Sequence, residues 1–117
     1  MNADTKNAKI TGVCIEYEAH GILTAWINLD YGGSGAQGFG GYSFGSKSQV
    51  PEKHGPWLGA FVAAMLQTIE VDKWEDLRGE TVRVVADNGK VHRIGHALKD
   101  KWFDPGEMFL AMKGAWK

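Results

Sequence analysis

Two runs of strict alternation flank the tripeptide Ala19-His20-Gly21, and nothing else in the chain constrains the fold as much. In the first, starting at Lys9, Thr11, Val13, Ile15 and Tyr17 fall on one side and Cys14, Glu16 and Glu18 on the other. In the second, Leu23, Ala25, Ile27, Leu29 and Tyr31 oppose Thr24, Trp26, Asn28 and Asp30. A period of two means extended backbone with a dry face and a wet face. Joined by three residues ending in glycine, the two runs predict an antiparallel hairpin. Its dry face needs a second layer, which the chain supplies after Pro56, a residue favoured at the first position of a helix. Trp57, Leu58, Phe61, Val62, Met65, Leu66 and Ile69 recur at helical spacing. The flank of that helix, Gly59, Ala60, Ala63 and Ala64, is small and uncharged, so it either lies under a cover or packs on another copy of the chain. The second option makes a homo-oligomer the expected state.

Downstream, residues 71–77 predict a short helix capped by Asp72, with Glu75 completing a capping box and Gly79 ending it. Thr81 to Ala86 predicts a fourth strand and residues 91–98 a fifth, joined by Asp87-Asn88-Gly89-Lys90, whose Asn-Gly pair is a strong hairpin signal. Lys99 to Phe103 is expected to leave the sheet. Asp104-Pro105-Gly106-Glu107 sets N-cap, first-turn proline and acidic third position for a terminal helix reaching about Met112, with Met108, Phe109, Met112 and Trp116 in need of a surface. Residues 1–8 read as a polar, flexible leader. The expected class is α+β: an antiparallel sheet of about five strands, with one main helix and a short C-terminal helix on one side. A length of 117 residues fits a single domain.

Net charge is −1 and no basic stripe stands out, so direct nucleic-acid binding is not expected. The longest apolar run, Leu58 to Leu66, is far short of the ~20 residues of a membrane span. The polar start has no apolar region of a secretory leader, and the single cysteine, Cys14, fits a reducing compartment. A cytoplasmic protein is expected.

Chemistry concentrates between Asp30 and Phe44, where six of fifteen residues are glycine and four are aromatic. Glycine admits positive φ and close backbone approach, and aromatics supply rigid contact area. Residues 39–44 predict a third strand, with Gly40 and Gly41 marking a bulge or a place where another backbone or a ligand comes near. The segment reads in two ways: an edge strand packing its own aromatics inward, or a recognition loop. It matches neither the dinucleotide nor the P-loop spacing. As a recognition loop, the backbone amides of Gly38, Gly40 and Gly41 cradle a ligand, Phe39 or Tyr42 stacks on a base, and Gln37 reads polar edges. Arg93 or Lys101 meets phosphate. Trp26, on the polar side of its strand with Asp30, is either covered or part of the same surface, and Trp102 belongs to a second aromatic cluster that could close over it.

Metal binding and catalysis gain no support. His92 and His96 on one strand would stand roughly 13 Å apart, too far to share an ion. His96 is read first as a hydrogen-bonded structural residue, with a ligand contact as the alternative. Cys14 is read as a small mid-strand hydrophobe. No catalytic residue, cofactor or metal is expected.

The run Leu29-Asp30-Tyr31-Gly32-Gly33, continuing as Gln37-Gly38-Phe39-Gly40-Gly41-Tyr42, resembles a family of small phage and prophage proteins. So do Trp74-Glu75-Asp76-Leu77-Arg78-Gly79, Val82-Arg83-Val84, Ile94-Gly95-His96 and Asp100-Lys101-Trp102-Phe103-Asp104-Pro105. The likeness spans about residues 9–105, with one extra residue between Gly33 and Gln37. It implies a viral accessory protein acting in the bacterial cytoplasm and, by analogy, an antagonist of host immunity. The expected function is non-enzymatic sequestration of a nucleotide-like small molecule. The alternative is a protein-binding inhibitor that caps a host defence or CRISPR component, and a third reading is a nucleotide-processing enzyme using His96 with an Asp.

Overall fold

A computed structural model of the chain describes residues 4–48 and 55–115. The fold is α+β. Six antiparallel strands form one open sheet in the order β3-β2-β1-β4-β5-β6: β1 (Asp4–Tyr17), β2 (Leu23–Asp30), β3 (Ala36–Gly40), β4 (Thr81–Ala86), β5 (Val91–His96) and β6 (Trp102–Phe103). The main helix α1 (Gly55–Ile69) and the shorter α2 (Pro105–Ala115) cover one side. No helix among the described residues is long and apolar enough to cross a membrane.

The first hairpin forms as its alternation demands. In β2, Leu23, Ala25, Ile27 and Leu29 are buried, while Trp26, Asn28 and Asp30 face outward. His20 and Gly21, both with positive φ, make the turn. β1 begins at Asp4 rather than Lys9, because residues 4–9 find a partner in β4 while the rest of the strand pairs with β2. A bulge at Thr11, between Ile10 and Gly12, separates the two halves.

The core joins Ile10, Ile27, Leu29, Val82, Val84 and Ile94 of the sheet to Phe61, Met65 and Ile69 of α1, all buried. At its centre Phe61 packs against Phe39 (6.0 Å between centroids) and Phe103 (5.5 Å), and Phe39 meets Phe103 edge-on at 6.2 Å. The sheet is therefore strongly curved, for Phe39 lies on one edge strand and Phe103 on the other. From α2, Phe109 closes the ring cluster against Tyr42 and Trp57.

Several local expectations change, and the third strand, expected at 39–44, forms at Ala36–Gly40 and stops where Gly40 and Gly41 take positive φ. Lys99 to Phe103 does not leave the sheet: Trp102 and Phe103 return as β6, since Phe103 is needed in the core. The Asp72–Glu75 capping box is not formed; the segment is a 3-10 turn, Trp74–Leu77, entered from Lys73 and anchored by buried Leu77. The Asp87–Lys90 hairpin forms as expected, with no positive φ in its turn, since the Asp87 carboxylate takes the Gly89 and Lys90 amides, both at 2.9 Å. His92 then forms a bulge that breaks the alternation of β5. His54 and Trp116 lie outside the described residues.

Candidate functional site

The glycine stretch divides into two parts with different causes. In the second part the room left by absent side chains is filled. Trp26 lies flat on the outer face of the sheet, and a Cβ added at Gly38 or Gly41 would come within 2.8 Å or 2.2 Å of its ring. A Cβ at Gly40 would sit 2.4 Å from the Ala25 carbonyl oxygen, and the Gly41 amide already donates to that oxygen at 2.8 Å. Gly40 and Gly41 have positive φ where β3 ends. Phe39 and Phe44 are swallowed by the core. The predicted cradle at Gly38, Gly40 and Gly41 is thus occupied by the protein itself, and Phe39 cannot stack on a base from outside.

The first part faces open space. Gly32, Gly33 and Gly35 have nothing within 4 Å of a built Cβ. Positive φ explains Gly32 and Gly35 in the tight turn, where Asp30 accepts from the Gly32 amide at 2.8 Å. Gly33 has neither positive φ nor a close neighbour, so the fold alone does not require a glycine there.

Beside this turn lies a polar hollow of about 200 Å³, lined by Lys6, Tyr31, Gly35, Ala36, Gln37, Asp87 and Asn88. Curvature of the sheet makes it, by bringing β3 up to the β4–β5 turn. Gln37 is fixed at both ends of its amide: the Tyr31 hydroxyl donates to Oε1 at 2.6 Å, and Nε2 donates to the Asp87 carbonyl at 3.0 Å. The Lys6 ammonium stands 5.1 Å from the Tyr31 ring centroid, within cation–π range. Burial pushes the Tyr31 phenol up, keeping it the donor to Gln37. The Asp87 carboxyl is held below its usual range, first by His92, whose Nε2 is 2.8 Å away, and by the Gly89 amide. Lys6 and the pinned amide of Gln37 are the hollow's cation and its fixed polar group.

The other predicted site residues lie elsewhere. Tyr42 is half-buried against Phe61 and Phe109, with Lys90 5.6 Å above its ring, and burial followed by Asp104 raises its pKa. Trp102 lies on Gly95 at the outer face of the sheet, its indole donating to Asp100 at 3.1 Å, with Arg83 and Arg93 4.9 and 5.7 Å from its ring centroid. The Trp26 indole donates to Glu18 at 3.0 Å. Thr24 also donates to Glu18, and the two bonds hold that carboxyl below its usual range.

His96 and Lys101 gather at the end of α1 around Glu70, which sequence reasoning missed. Lys99 and Lys101 reach the Glu70 carboxylate at 2.8 and 3.0 Å and lower its pKa to about 2. His96 Nδ1 accepts the Leu98 and Lys99 amides, both at 3.1 Å, leaving Nε2 4.0 Å from Glu70. Glu70 has φ +67 and ends α1 where glycine is usual, as the Val71 amide bonds back to Leu66. A non-glycine residue just past a helix was the one available signal. A wider hollow of about 420 Å³ opens beside it, but its charged lining is Glu70, already paired with Lys99 and Lys101, and Asp72, with no cation among the described residues that line it.

Among the described residues no three His, Cys, Asp or Glu side chains converge as a metal site. No protein-family model, curated protein or solved structure matches the chain.

Proposed function

We propose that this is a non-enzymatic binding protein of phage accessory type, which antagonises bacterial immunity by holding a nucleotide-like small molecule in the hollow of Lys6, Tyr31 and Gln37. The observation that carries the reading is the doubly pinned Gln37 amide next to a cation and a glycine turn open to solvent. Fixed polar groups with one cation suit a phosphorylated ligand. At about 200 Å³ the hollow admits one phosphate–sugar or base end, with the remainder lying over the backbone of residues 32–35. Among the described residues that line it there is no Ser, Thr or Cys, which favours holding over chemistry. Calorimetry against cyclic nucleotides and ADP-ribose derivatives tests it. Micromolar binding that weakens at least tenfold in Lys6→Ala is expected; no binding across the panel ends the reading.

A second reading rests on Trp26, which is 36% exposed on a sheet face that neither helix covers. Here the protein caps a host defence protein through that face. Capture of a host protein lost on Trp26→Ala, with no small-ligand binding, would favour it.

A further inference from the structure

The long strand β1 has partners on both sides only around Lys9 and Ile10, and residues 4–8 pair with β4 alone. Its β4 neighbour ends at the Lys9–Thr81 pair, and the 79–80 backbone adds two bonds to Ile10. From residue 12 to 17 the strand pairs with β2 alone, and among the described residues no backbone group bonds to its other edge. Such an edge turns the N–H and C=O of every second residue outward, a template for another strand.

The side chains along this edge are sorted. On the helix side run Val13, packed against the core, and then Ile15 and Tyr17, 39% and 41% exposed, with the Lys47 ammonium 5.2 Å from the Tyr17 ring centroid. On the other side stand Glu16 and Glu18, neither within ion-pair distance of a cation among the described residues. On the β2 side Glu16 faces uncharged Thr24.

We propose that residues 12–17 accept an extended segment of a partner protein by strand addition, and that the segment alternates β-branched or aromatic residues with Lys or Arg. The apolar row of the guest would cover Ile15 and Tyr17, and its basic row would lie beside Glu16, where cross-strand opposite charges attract; the Glu18 carboxylate, past the strand end, is already taken by Thr24 and Trp26. A second copy of the chain fits less well. Paired antiparallel about Ile15, two copies would set their Glu16 carboxylates at diagonal positions roughly 7–8 Å apart with no cation between them. The inference stands apart from the hollow and holds whether or not a nucleotide binds there.

The test uses the full chain and three capped ten-residue peptides: Val alternating with Lys, Val alternating with Glu, and a block-scrambled Val/Lys control. Fluorescence anisotropy gives affinity and amide hydrogen exchange locates the contact. The alternating Val/Lys peptide should bind at least tenfold tighter than both controls, slow exchange within residues 12–17, and lose about tenfold in Glu16→Lys with the melting temperature unchanged. Equal affinity for the scrambled peptide, protection elsewhere, or indifference to Glu16→Lys would overturn it. So would concentration-dependent protection of residues 12–17 without peptide, which would make the edge a self-association surface.

Discussion

Gly41 separates two reasons for a glycine, and a mutant cycle can measure each. Gly41→Ala places a Cβ 2.2 to 2.4 Å from the Trp26 ring at a φ of +73°. The left-handed backbone costs a non-glycine residue roughly 1–2 kcal/mol. Displacing a packed ring adds about 1–3 kcal/mol. The single variant should therefore lose about 2–5 kcal/mol, a fall in melting temperature of roughly 12 °C at the middle of that range for a chain of this size. In a Trp26→Ala background the ring is gone and only the backbone cost of roughly 1–2 kcal/mol remains, a coupling of about 2 kcal/mol. Gly40→Ala provides the contrast. Its Cβ would meet the Ala25 carbonyl at 2.4 Å, a backbone atom that Trp26→Ala leaves in place, so its cost should not change between backgrounds. Urea denaturation followed by circular dichroism reads all six proteins. If Gly41→Ala costs the same with and without Trp26, the indole is not what excludes a side chain there, and the account of the glycine stretch fails.

Phe39→Ala, which empties the centre of the ring cluster, should cost about 3–5 kcal/mol in the same assay. Gly33→Ala, at ordinary φ in open space, should leave stability equal or raise it by about 0.4–1 kcal/mol. Glu70 titrates near 2 in the folded protein against 4.5 ordinarily, so its ion pairs act fully above pH 4.5 and fade as pH falls toward 2. Wild type should thus lose more stability than Glu70→Gln on acidification through that window; parallel pH curves would contradict the pairing. Asp104 accepts the Glu107 amide at 3.1 Å at the start of α2 and raises the Tyr42 pKa. Asp104→Ala should cost about 1 kcal/mol and shift the Tyr42 phenol downward in ultraviolet titration, though burial, the larger cause, keeps it above its ordinary value.

Legibility followed locality. The alternation of β2, the six residues of β4, the period of α1 and the Asp104 cap are each fixed by a few neighbouring residues, and the structure has them as read. Segments whose state depends on distant partners were not legible. Residues 4–8 carry no convincing alternation and become strand only because β4 lies alongside. Trp102 and Phe103 are two residues long as a strand, held by the Ile94 and Gly95 they oppose. At the candidate site Gln37 stands out in the sequence as a polar group within the glycine stretch, and it lines the hollow. Lys6 does not stand out, because its neighbour Tyr31 is 25 residues away in sequence and next to it only once the sheet curves. The abundance of glycine was visible, but its division between Trp26 and open space was not.

The meeting of the two outermost strands has a kinetic meaning. Phe39 and Phe103 touch across nearly the whole strand order, and Gln37 reaches Asp87 from the same edge. Neither contact can form until β1 has recruited both β2 and β4, so most of the loop-closure entropy is spent before the aromatic centre pays any of it back. Separate production of the first hairpin or of residues 81–103 should yield chains with no stable structure. Refolding of the whole should be slow for its length and should proceed without a half-formed sheet.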